Sequence, residues 1–133
     1  MEIKEDYLIE VSSDFEEYWR YNIYIECGCF DADDTRCGFT STEDVISPVG
    51  AGMRTKPDNY KSPRVVSLEA ESCDHLLMRL YIVPHLLPED NIISHSEPFD
   101  VDITVTRGGR RLLDRTLKIN RWAGISLPIF VKG

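Results

Sequence analysis

Phe99-Asp100-Val101-Asp102-Ile103-Thr104-Val105-Thr106 alternates apolar and polar side chains without a break, and its apolar residues after Phe99 are all β-branched. A period of two places Phe99, Val101, Ile103 and Val105 on one face, so the stretch reads as a strand with one side on a core and the other in water. Arg107-Gly108-Gly109-Arg110 follows, and Arg111 to Ile119 is a second strand, which predicts a hairpin. A two-residue Gly108-Gly109 loop would set Ile103 opposite Asp114. A three-residue loop with a bulge pairs Ile103 with Leu113 and Phe99 with Leu117, and is the expected register. It puts Arg111 and Arg115 at core-side parity, where their stems cover apolar surface or the two heads form a binding pair.

The same alternation recurs on both sides of this hairpin. Trp19, Tyr21, Ile23, Ile25, Cys27 and Cys29 share one face, with Tyr24 on the other. Ser13 and Glu16 have capping-box spacing just upstream, which predicts a helical turn over Asp14 to Tyr18. Ile3, Tyr7, Ile9 and Val11 begin the chain as a strand, and Val65 to Ala70 is another short one. Ile125 to Val131 ends the chain as an edge strand, because Pro128 lacks a donor. Leu76 to Val83 fits a strand through Leu76, Met78, Leu80 and Ile82, yet Cys73, Leu76, Leu77 and Leu80 also fit a helix. The expected class is therefore an all-β antiparallel sandwich of seven to eight strands. An α+β fold is the alternative if residues 67–83 are helical.

One domain over residues 1–133 matches the length, with two long irregular loops, 38–63 and 84–98, rich in turn-forming residues. Fifteen basic against 23 acidic residues give a net charge of −8, which repels phosphate backbones and anionic lipid. Neither nucleic acid nor membrane is an expected partner. The N-terminus has no basic-then-apolar signal and no apolar run reaches the ~20 residues of a membrane helix, so a cytoplasmic location is expected.

Cys27-Gly28-Cys29 and Cys73-Asp74-His75 supply two short-spaced pairs of zinc-type ligands, with Cys37 spare. The spacing is tighter than structural zinc sites use, and strand parity aims Cys27 and Cys29 at the core but Cys73 and His75 away from it. Buried reduced thiols are the expected state. Asp31-Ala32-Asp33-Asp34-Thr35 with Glu43 offers hard oxygens for calcium but lacks the glycine of an EF-hand loop. Gly50-Ala51-Gly52-Met53-Arg54-Thr55-Lys56 offers amides and cations without the spacing of a nucleotide loop. His75, His85 and His95 lie in no nucleophile motif, so no enzyme and no cofactor is expected.

These features point to a non-catalytic protein-interaction or assembly module, binding a protein partner or another copy of itself. Tyr24, Arg111 and Arg115 are its candidate binding residues. The alternative is a small-ligand or carbohydrate-binding domain closed by the 38–63 loop, and the third reading an enzyme with a loop-borne site.

Overall fold

A computed structural model describes residues 6–46, 56–58, 60–86 and 97–132. Eight strands run in chain order: β1 (Tyr7–Ser13), β2 (Tyr21–Phe30), β3 (Arg36–Asp44), β4 (Arg64–Ala70), β5 (His75–Pro84), β6 (Phe99–Arg107), β7 (Arg110–Ile119) and β8 (Ile125–Lys132). They form two antiparallel sheets, ordered β4-β1-β6-β7 and β3-β2-β5-β8, so the fold is a β-sandwich. Residues 67–83 hold two strands and a short bend rather than helix, which removes the α+β alternative. Helical spacing there was incidental, since β2 and β8 flank β5 and bury Leu76, Met78, Leu80 and Ile82 against the core.

The inward faces interdigitate along their period-two positions. Tyr7, Ile9 and Val11 of β1, Ile23, Ile25 and Cys27 of β2, and Val101, Ile103 and Val105 of β6 are all fully buried. Truncating one such aliphatic side chain costs about 2–5 kcal/mol, so the core fixes strand register firmly. The edges of the two sheets approach each other, β3 beside β4 and β7 beside β8.

Three expectations need correction. The β6–β7 hairpin closes with a two-residue turn, Gly108 and Gly109 at φ of 57° and 78°, the mirror-image geometry that suits strand twist. A bulge between Val105 and Thr106 then shifts the register, pairing Val105 with Leu113, Val101 with Leu117 and Phe99 with Ile119. The bulge relieves the clash of Asp114 with the core face that a regular two-residue hairpin would impose.

The second correction concerns the 38–63 loop, because β3 occupies residues 36–44. That strand is polar and lies at a sheet edge, so it carries little hydrophobic alternation to read. The third concerns the helical turn, which is a 3-10 turn over Tyr18–Arg20. Ser13 Oγ does accept from the Phe15 N–H at 3.2 Å while donating to the Asp100 carbonyl at 2.7 Å, tying the turn to β6. Ile3, the glycine-rich segment 50–55 and His95 lie outside the described residues.

Candidate functional site

The outward positions of the β3-β2-β5-β8 sheet fall into rows set by its register. Arg36, Phe30, His75 and Lys132 form one row, and Phe39, Gly28, Leu77 and Phe130 the next. Ser41, Glu26, Arg79 and Pro128 follow, then Glu43, Tyr24, Tyr81 and Ser126. Phe39 is 57% exposed, Leu77 49% and Phe130 60%, so three large apolar side chains stand in water in a single row.

Gly28 interrupts that row. Phe30 leans over it so closely that an added Cβ would meet the ring edge at 3.0 Å. The result is a notch of about 230 Å³ bounded by Phe30, Phe39, Leu77 and Pro128, with Glu26, Arg36 and Arg79 at its rim. The Arg36 guanidinium sits 6.0 Å over the Phe39 ring.

His75 anchors one end of the face. Its ring stacks on Phe30 at 5.4 Å and 6° and touches Phe130 at 5.3 Å. Nδ1 lies 2.8 Å from Asp74 Oδ2 and Nε2 3.1 Å from Asp34 Oδ1. Only an imidazolium donates both bonds at once, whereas the neutral ring donates one. The His75 bond holds the Asp74 carboxyl below the usual carboxylate range.

The opposite outer face is different in kind. Its rows read Glu69, Leu8, Thr106, Arg111; then Ser67, Glu10, Thr104, Asp114; then Val65, Ser12, Asp102, Thr116. Charge and hydroxyl dominate there, as on an ordinary solvated sheet. The apolar patch thus belongs to one side of the sandwich.

The candidate residues read from the sequence are distributed unevenly over this structure. Tyr24 lies on the patterned face, half-buried beside Tyr81 and Glu43. Arg111 and Arg115 do not form a pair: the bulge sets Arg111 opposite Thr106 on the outer face, ion-paired with Asp114 at 3.0 Å. Arg115 keeps inward parity opposite Ile103 but is exposed at the sheet edge.

Cys27, Cys29 and Cys73 meet in the core, because the chain turns before β5 begins and carries Cys73 inward. The expectation that Cys73 would share the outward direction of His75 is therefore wrong. The Cys73 thiol donates to the His75 carbonyl at 3.3 Å while the His75 ring stacks outside. Among the described residues no group of three or more His, Cys, Asp and Glu side chains is arranged to hold a metal. Asp31 Oδ1 is occupied by the N–H groups of Asp33 and Thr35, at 3.2 and 3.1 Å, as part of the β2–β3 turn.

Sequence reading did not single out Leu77, Phe130 or the Gly28 notch, and gave Phe39, one of the aromatics it counted beyond the core stripe, no place on a face. Leu77 and Phe130 were visible as large apolar residues out of phase with their strands' inward positions. Phe39 required β3 to be recognised first.

No family model matches this chain, and no curated protein does. A solved structure, a DUF4425 family protein from Bacteroides ovatus, aligns over 96% of this chain and 93% of its own at 10% identity, with a TM-score of 0.41. A likeness at that level carries no argument about function.

Proposed function

We propose that this chain is a non-catalytic interaction module that docks protein through the outer face of its β3-β2-β5-β8 sheet. The observation that carries the reading is the exposed row of Phe39, Leu77 and Phe130, set against a polar opposite face. Exposed apolar residues gathered on one face and rimmed by charge are a usual mark of a docking surface, with aromatics as anchors. The net charge of −8 disfavours nucleic acid as the partner. Four free thiols fit a reducing compartment such as the cytoplasm.

Native mass spectrometry of untagged protein purified under reducing conditions, with metal analysis of the same sample, tests the reading. Protein–protein species that vanish on Phe39→Ser with Phe130→Ser are expected. A metal or small molecule at one per chain, or association indifferent to those substitutions, would overturn it.

The notch at Gly28 favours a second reading, a small-ligand or carbohydrate site. Phe39 would stack on a sugar ring while Glu26 and Arg79 supply hydrogen bonds. Backbone amide shifts confined to Gly28 and Leu77 on titration with soluble oligosaccharides would select it.

A further inference from the structure

We propose that the partner of this face is a second copy of the chain, docked face to face about a two-fold axis running along the strands between β2 and β5. The inference rests on the docking reading above and names the occupant. Its basis is that each row of the face is complementary to its own reversal. The operation exchanges β2 with β5 and β3 with β8, so the row Phe39, Gly28, Leu77, Phe130 meets itself in reverse. Leu77 of each copy then packs into the notch walled by Phe30 and Phe39 of the other, and Phe39 of each meets Phe130 of the other. Knob and hole are both present on one chain.

The charges follow the same symmetry. In the row Ser41, Glu26, Arg79, Pro128, reversal brings Glu26 of one copy over Arg79 of the other, twice. Tyr24 likewise meets Tyr81. Arg36 and Lys132 are the one like-charged match, and they fall at the outer corners, where water and salt screen them. An axis along the strands keeps the two faces aligned, the orientation that sheets adopt when packed face to face.

The size of the face sets the expected strength. Four strands at ~4.8 Å and four rows at ~6.8 Å project onto roughly 500 Å², less than the ~800 Å² that a standard partner buries. The dimer is accordingly reversible and concentration-dependent.

Sedimentation velocity of the intact chain from low to high micromolar concentration tests the proposal. A monomer–dimer equilibrium is expected, weakened about tenfold or more by Glu26→Arg or by Arg79→Glu alone and restored when both are made in one chain. Glu26 and Arg79 are also cross-strand neighbours within one chain, so urea midpoints of all three variants must show that each folds, and Leu77→Lys, which touches neither member of that pair, should abolish the dimer. A dimer weakened by each single swap but not restored by the pair overturns the two-fold geometry. A monomer at every concentration overturns the second copy as partner. In that case binding of another protein that depends on Leu77 keeps the docking reading alive, while a dimer indifferent to every substitution overturns both.

Discussion

Arg64 on β4 and Asp44 at the end of β3 form an ion pair, Nε to Oδ2 at 2.8 Å, across the seam between the two sheets. The same guanidinium donates to the carbonyls of Tyr18 and Tyr21 at 3.0 and 2.8 Å and to the Asp44 carbonyl at 2.9 Å, and it lies over the Tyr18 ring. One buried cation therefore fastens an edge strand of each sheet to the 3-10 turn and the start of β2.

The contribution of Arg64 is concentrated in the bonds to the Tyr18 and Tyr21 carbonyls. Arg64→Met removes the guanidinium donor from the Tyr21 carbonyl and one of two donors from the Tyr18 carbonyl, which the Tyr21 N–H also reaches, and should lower stability by about 1–3 kcal/mol. Asp44 is 43% exposed at its side chain, so Asp44→Asn, which keeps the backbone acceptor, should cost less than about 1 kcal/mol. Urea unfolding midpoints of the two variants, read with unchanged slopes, check the ranking.

A second contrast comes from two glycines at positive φ. Gly124 has φ of 66°, and a Cβ there would fall 1.9 Å from the Ile82 carbonyl oxygen, a backbone atom that cannot move aside. Gly109 has φ of 78° with none of the described residues within 4 Å of a Cβ. Gly109→Ala should therefore cost about 1 kcal/mol, from the left-handed backbone alone, while Gly124→Ala should cost at least about 2 kcal/mol by adding a clash. Thermal melts of both variants measure the difference, and equal losses would refute the steric assignment.

How much of this was legible depended on burial. Strands with one apolar face, such as Phe99 to Val105 and Ile23 to Cys29, announced themselves by alternation, and β5 did so once its neighbours were strands. β3 did not, because an edge strand with Thr40, Ser41, Thr42 and Glu43 has little core to mark its phase. The hairpin register failed for a related reason: the expected bulge lay in the loop, whereas it falls between Val105 and Thr106 and shifts the pairing by two residues, and nothing local in Arg111-Leu112-Leu113 marks it. Of the candidate site, Tyr24 was found from parity. The apolar row was not, since a row across strands exists only after pairing is known.

The four cysteines should separate by reactivity. Burial pushes Cys27 up to about 12 and Cys29 up to about 11, with neighbouring thiols adding to the effect, and Cys73 is buried beside them. Cys37 is exposed. A thiol reagent added to native protein at neutral pH should titrate Cys37 quickly and the other three only as the core opens, with all four reacting after denaturation. Fast native reaction of Cys27 or Cys29 would contradict the packing at that end of the sandwich.

The pH dependence of stability should carry a signature of His85. Its Nε2 lies 2.6 Å from the Trp19 carbonyl, so that nitrogen carries the proton, while Nδ1 is buried with no partner among the described residues. Burial holds the imidazole below its usual range, outweighing the carbonyl bond, and the charges of Arg64 and Arg20 act in the same direction. The folded state therefore binds this proton less readily than the unfolded chain does. The stability contributed by the neutral ring is complete above the unfolded value of about 6.5 and is lost as pH falls through the folded one. His85→Gln retains a donor for the Trp19 carbonyl without titrating. Its urea midpoint should fall less than that of the wild type between about pH 7 and pH 5, across the unfolded imidazole value. Parallel curves for the two proteins would remove His85 as a source of the acid sensitivity and place it on the carboxylates instead.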